Sequence, residues 1–181
     1  VILGAAVAMF WMGRVDDRRG LSAPFRLSLQ IAAAAMIAGA GARVTFFVDS
    51  TIAHYALTIL WIVFVMNACN FIDNMDGLMA GVLSSTTIAL TSIAIATGQL
   101  FVAAFGLSLT GALLGFLASN RPPARIYIGD EGSMFIGTLV ATLAIVLSFR
   151  GEGEIVPTPA QWIVGVAPLL YVARTMAAQD P

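Results

Sequence analysis

Long apolar runs separated by short polar interruptions make up most of the chain. A membrane-spanning helix needs about 20 consecutive apolar residues, with about 17 as the lower limit. Seven candidate segments emerge: 1–13, 25–42, 52–70, 79–97, 100–118, 133–149 and 160–177. The expected fold class is all-α, a polytopic integral membrane helical bundle of about seven transmembrane segments in one domain over 1–181. The segment 25–42 is the weakest, because Arg26, Ser28 and Gln30 stand at its start. Small residues are dense in "IAAAAMIAGAGA" and "FGLSLTGALLGF", which suits close helix packing. "VILGAAVAMFWM" has no basic stretch before it and no cleavage site after it, so it reads as the second half of a helix rather than a signal peptide. The tail "AAQDP" follows soon after an apolar segment. The expectation is therefore a fragment lacking segments at one or both ends.

Composition agrees with the pattern. The chain is 59% hydrophobic and 10% charged, where soluble domains are about half apolar and a quarter charged. A net charge of −1 gives no reason to expect a nucleic-acid partner. The lone Cys69 cannot form an internal disulfide and reads as a packed small residue. Every permanent positive charge is Arg, since the chain has no Lys. Alternating the seven segments puts Arg14, Arg18, Arg19, Arg26, Arg121, Arg125 and Arg174 on one face, and only Arg43 and Arg150 on the other. The positive-inside rule makes the first face cytoplasmic.

The same parity brings three acidic clusters to that face. The first is "GRVDDRRGLSAPFRL", placed in a loop over 14–24, where adjacent Asp16 and Asp17 need a cation or a shared proton to stay together. The second is "NACNFIDNMDGLMAG". On a helix, Asn67, Asn70 and Asn74 fall within about 60° of one another, Asp73 lies about 60° further on, and Asp76 points the opposite way. A helix ending near Asn74 or Asp76, released by Gly77, would let all five converge. The third, "SNRPPARIYIGDEGSMFIG", begins extended at Pro122-Pro123 and turns into a helix at Asp130. Ser133 and nearby amides offer an anion site, and Arg121 and Arg125 add phosphate-binding capacity. Capping a helix end needs one such residue, not five, and an ionised Asp near the bilayer costs about 3 kcal/mol, so a functional site is the default. Hard oxygen donors without thiolates suit Mg²⁺ or Mn²⁺ and point to phosphoryl transfer involving a lipid. His54 lies on the opposite face and reads as interfacial or packed.

These motifs resemble the polyprenyl-phosphate N-acetylhexosamine-1-phosphate transferases. That family includes enzymes starting O-antigen (lipopolysaccharide) and teichoic-acid linkage synthesis and the translocase of peptidoglycan synthesis. The Asp-Asp stretch, "NACNFIDNMDGLMAG" and "NRPPARIYIGDEGSMFIG" stand in the family's order over roughly residues 10–150. The resemblance implies a larger fold of about ten or eleven helices in a bacterial inner membrane, with its active site on the cytoplasmic face. It implies transfer of a sugar 1-phosphate, most readily GlcNAc-1-phosphate, from a UDP-N-acetylhexosamine to polyprenyl (undecaprenyl) phosphate, releasing UMP. The phospho-MurNAc-pentapeptide branch is the alternative, and a homodimer is left open. Carried over by motif, Asp16 and Asp17 are base or lipid-phosphate positioners, with nucleophile also open. Asp130 holds Mg²⁺ with Asn70 or Asp73, and Asp76 lies on the nucleotide side. The family's His-bearing loop is not found, and Tyr171 stands where an Asp is expected. An inactive, truncated member is therefore a further alternative.

Two other classes fit less well. CDP-alcohol phosphotransferases need an Ala-Arg and two later Asp residues after Asp-Gly, whereas Asp76-Gly77 is followed by "LMAGVLSS". An ion-coupled transporter favours carboxylates at mid-bilayer, and these gather at one surface.

Overall fold

A computed structural model describes residues 1–44 and 50–149, the side chains of 148 and 149 excepted. These residues form six helices and no strand: α1 Ile2–Arg19, α2 Ala23–Gly39, α3 Thr51–Ile72, α4 Leu78–Ala96, α5 Leu100–Asn120 and α6 Gly129–Phe149. Four of them, α3 to α6, are long and apolar enough to cross a membrane. The chain is a membrane protein, but the expected seven spans reduce among the described residues to these four and one shorter apolar helix. That helix, α2, has 17 residues. In α1 the sequence "RVDDRR" fills the C-terminal end with charge. The candidate at 160–177 lies outside the described residues.

Helix ends follow local chemistry. α1 stops where Gly20 takes the left-handed conformation (φ 63°) and its N–H bonds to the Asp16 carbonyl at 2.8 Å. Asp16 and Asp17 are thus helical, not in a loop over 14–24, because nothing before Gly20 breaks the helix. Pro24 then opens α2 at a position where its missing N–H costs nothing. Ser50 caps α3 through a bond from the Ala53 N–H.

α6 is the central helix. It packs against α1 on one side and α3 on another, while α4 and α5 pair with each other and touch α6 more lightly. Close approach depends on two glycines. A Cβ on Gly13 would run into the backbone of Asp130 and Glu131, and one on Gly137 would lie 2.9 Å from the Met66 Cα. The main core joins Ala5, Met9, Ile37, Met66, Met134 and Ile145. A second cluster, with Leu90, Val102, Leu143 and Leu147, closes α4, α5 and α6 at the far end. Cys69 is fully buried in the main core, as expected of a packing residue. Apolar side chains left outside the core form stripes: Leu3, Val7, Trp11 and Val15 recur every four residues along α1. Such a stripe suits lipid or further helices.

Because the helices alternate in direction, the connections 20–22, 73–77 and 121–128 all lie at one end. Each of the three acidic clusters borders one of these connections, so sequence parity and structure agree.

Candidate active site

Polar groups from α1, α2, α3 and α6 meet at this end. Asp17, in the last turn of α1, receives hydrogen bonds from the backbone N–H groups of Asp130 and Glu131. It therefore caps α6 from a different helix, where the free N–H groups and helix dipole favour a negative charge. Gly129 permits this through its positive φ (65°), and a Cβ there would come within 2.9 Å of Asp17 Oδ2.

Asp130 is shared. Asn70 Nδ2 donates to its Oδ1 at 2.5 Å and to Ser133 Oγ at 3.1 Å, tying the end of α3 to the start of α6. Arg26 Nη1 lies 3.7 Å from its Oδ2. The same guanidinium nitrogen bonds Asp16 Oδ2 at 2.7 Å, while Asp16 Oδ1 accepts the Leu21 N–H at 2.8 Å. Both Asp16 oxygens are thus engaged, and the residue is buried. Arg14 pairs with Glu131 at 2.7 Å.

α3 ends at Ile72, earlier than the Asn74–Asp76 region expected from sequence, and Asp73 becomes its C-cap. A non-helical connection over residues 73–77 then replaces the continuing helix, so helical-wheel angles no longer govern the side chains that follow. Asn74 is exposed, and Asp76 reaches sideways to accept the Ala124 N–H at 2.9 Å. Asp73 stays half-buried. Burial first, and then the nearby charges of Asp130 and Asp17, push its carboxyl up to about 6. Asp17 is also raised, by burial and by Asp130, against the lowering effect of the α6 N–H groups. Asp17, Asp73 and Asp130 thus come from three separate sequence motifs and repel one another at one place.

The sequence matches the family model described as "Glycosyl transferase family 4" over residues 1–148. The chain belongs to glycosyl transferase family 4. It is 35% identical over 155 residues to a probable undecaprenyl-phosphate N-acetylglucosaminyl 1-phosphate transferase of Bacillus subtilis (strain 168), covering 80% of this chain and 42% of that protein. It is 36% identical over 124 residues to the phospho-N-acetylmuramoyl-pentapeptide-transferase of Limosilactobacillus fermentum, covering 68% of this chain and 35% of that protein. The chain therefore spans less than half the length of these relatives.

Within this family-4 chain, Asp16, Asp17, Asn70, Asp73, Asp130 and Ser133 are brought together. Asn67 is not part of that group: its Nδ2 donates to Gln30 Oε1 and to the Val63 carbonyl, both at 2.8 Å, which joins α2 to α3. Asp76 and Gly77 belong to a loop anchor. Gly77 takes φ 73° as the N-cap of α4, and its N–H bonds Asn120 Oδ1 at 3.0 Å. Arg121 and Arg125 line a cavity with Ala118, Ser119, Pro122 and Pro123, and no residue of the carboxylate group lines it. Among the described residues, no group of three or more His, Cys, Asp or Glu side chains is placed to hold a metal ion unaided.

Sequence reasoning missed three residues here. Arg26 counted as a positive-inside charge and, with Gln30, as a weakness in an apolar run, and buried Asn120 was not singled out. The Asn120 signal was readable: it begins "NRPPAR", and its amide bridges the Gly77 N–H and the Ile126 carbonyl.

Proposed function

We propose that this chain carries the phosphate-handling part of a membrane phosphoglycosyltransferase site. The enzyme transfers N-acetylhexosamine-1-phosphate, most readily GlcNAc-1-phosphate, from a UDP-sugar to polyprenyl (undecaprenyl) phosphate and releases UMP. It does so at the cytoplasmic face of a bacterial inner membrane, as the first membrane step of a cell-envelope glycan. The observation that carries this reading is the convergence of Asp17, Asp73 and Asp130 at the end of a membrane bundle, with the carboxyls of Asp17 and Asp73 raised. Repulsion of this kind costs stability unless a ligand relieves it, and such sites are functional more often than structural.

The donor set fits Mg²⁺ or Mn²⁺. Magnesium is typically held through one or two carboxylates plus substrate phosphates. Asp130 and Asp73 would hold it, with Asn70 braced against Asp130. When bound, the ion would neutralise the diphosphate and stabilise departing UMP. In the transfer, a lipid-phosphate oxygen forms a bond to the sugar-bearing phosphorus, and that phosphorus breaks its bond to the bridging oxygen leaving with UMP. Asp17 and Asp73 face the phosphates, and the Asp73 carboxyl, pushed up to about 6 without a cation, would give up its proton as the cation binds. Asp16, with both oxygens engaged, positions Arg26 instead. Ser133 supports Asn70, and Asp76 and Gly77 shape the nucleotide side.

The test is exchange of labelled UMP into UDP-N-acetylhexosamine by membranes containing the protein. Mg²⁺-dependent exchange that Asp130→Asn abolishes is expected; metal-independent exchange, or none with any UDP-sugar, contradicts the reading. The relative from Limosilactobacillus favours a second substrate, UDP-MurNAc-pentapeptide, and exchange with that nucleotide alone would select it.

A further inference from the structure

The sequence motif "NRPPAR" contains two cations that the carboxylate site does not use. At this end of the bundle Arg14 and Arg26 are paired with Glu131, Asp16 and Asp130. Among the described residues, Arg121 and Arg125 have no acidic partner, and they line a cavity of about 430 Å³. Its remaining walls are Ala118, Ser119, Pro122 and Pro123, so every lining residue comes from the last turn of α5 or the loop after it. No carboxylate lines it.

The cavity's shape is held from outside. The Arg125 N–H bonds the Ser119 carbonyl at 2.9 Å, closing the loop back onto α5. The neighbouring Ala124 N–H is fixed by Asp76 at 2.9 Å, and the Ile126 carbonyl by Asn120, also at 2.9 Å. Three consecutive loop residues are therefore tethered, with the Pro pair upstream lacking amide hydrogens that would need partners. α5 is one of the four helices suited to crossing a membrane, and it ends at Asn120. The cavity thus sits at the end of a helix long and apolar enough to cross a membrane, where a spanning helix would meet the phosphate groups of the bilayer surface.

We infer that Arg121 and Arg125 form a second anion site, separate from the carboxylate cluster, that binds a phosphate group at the membrane boundary. Two guanidinium groups on a tethered loop can each present paired N–H donors to phosphate oxygens. The phosphate can come from an anionic lipid headgroup or from a soluble diphosphate, since both offer the same oxygens. The site keeps phosphate-bearing molecules beside the transfer site without sharing its ligands.

Two binding measurements on purified protein distinguish these sources. One is native mass spectrometry of protein released from nanodiscs containing phosphatidylglycerol and phosphatidylcholine; the other is calorimetric titration with inorganic pyrophosphate. Arg121→Gln with Arg125→Gln should lower retained phosphatidylglycerol, or pyrophosphate affinity, at least fivefold, and the affected arm identifies the source. Asp130→Asn should leave that binding unchanged in metal-free buffer. Arg121→Lys with Arg125→Lys should keep more than half of it, which separates lost charge from a misfolded loop. Unchanged binding of both probes in the Gln variant overturns the inference. Equal loss in Asp130→Asn also overturns it, because the arginines would then serve the carboxylate site.

Discussion

Two groups of acids at the same end of this bundle are held in opposite ways. Asp16 and Glu131 are matched by Arg26 and Arg14, each at 2.7 Å, and Asp16 also accepts a backbone N–H. Asp17, Asp73 and Asp130 lie close by, yet burial first and then the charge of Asp130 raise the proton affinity of both Asp17 and Asp73, and Asp17 adds to the rise at Asp73. Helix length and apolar packing are common to both groups, so they do not explain the difference. What differs is whether the fold supplies a counter-charge at hydrogen-bond distance: Arg26 bonds Asp16 at 2.7 Å and stands 3.7 Å from Asp130, and neither Asp17 nor Asp73 has an ion pair among the described residues. The matched group is scaffold that fixes α1 against α2 and α6, and the unmatched group is where the proposed function would place a cation and phosphates.

Substitutions should separate the two groups by what they damage. The largest effect is expected in the unmatched group: Asp130→Asn or Asp73→Asn should lower nucleotide exchange by about 100-fold or more while the protein still folds. A loss of folded protein equal to the loss of exchange would erase the distinction. In the matched group, Arg26→Met strands a buried carboxylate and should cost about 2–4 kcal/mol of stability, read as a lower unfolding temperature in detergent. An unchanged midpoint would show that Asp16 needs no partner. Gly13→Ala attacks the junction between the groups, since its methyl meets the α6 backbone at Asp130 and Glu131. About 1–3 kcal/mol of destabilisation is expected from overpacking, with exchange falling as Asp17 is displaced.

A smaller effect carries a sign. The Asp73 carboxyl rises from 3.8 to about 6 on folding, so between those values the folded state binds more protons than the unfolded one. Stability therefore falls as pH rises through that window. Without divalent cation, Asp73→Asn should melt higher than the parent at pH 7.5 and equally at about pH 4. The same proton competes with a bound cation, so Mn²⁺ affinity should weaken by up to about tenfold per unit below about pH 6.

Much of this was readable from the residues. Apolar run lengths and parity carried the helical membrane fold and the meeting of the three motifs, because both depend on periodicity alone. Helix ends were harder. The charged end of α1 remains helical because Gly20 is its first breaker, although charge density there suggested a loop. α3 stops at Ile72, and so Asp76 became a loop anchor on Ala124 rather than a group aimed by helix geometry. Asn67 shares a helical face with Asn70, but Gln30 on α2 claims its amide. A partner on another helix leaves no trace in the local pattern. For the same reason Arg26 looked like an anchor for membrane orientation, and only packing of α2 beside α1 revealed it between Asp16 and Asp130.

The central claim is that the unmatched carboxylates receive a divalent cation. Electron paramagnetic resonance of Mn²⁺ titrated into the purified protein at about pH 7.5, with UDP-N-acetylglucosamine present, tests it most directly. The account predicts one tightly bound Mn²⁺ that Asp130→Asn loses and Glu131→Gln retains. Equal Mn²⁺ binding by the parent and Asp130→Asn would contradict it.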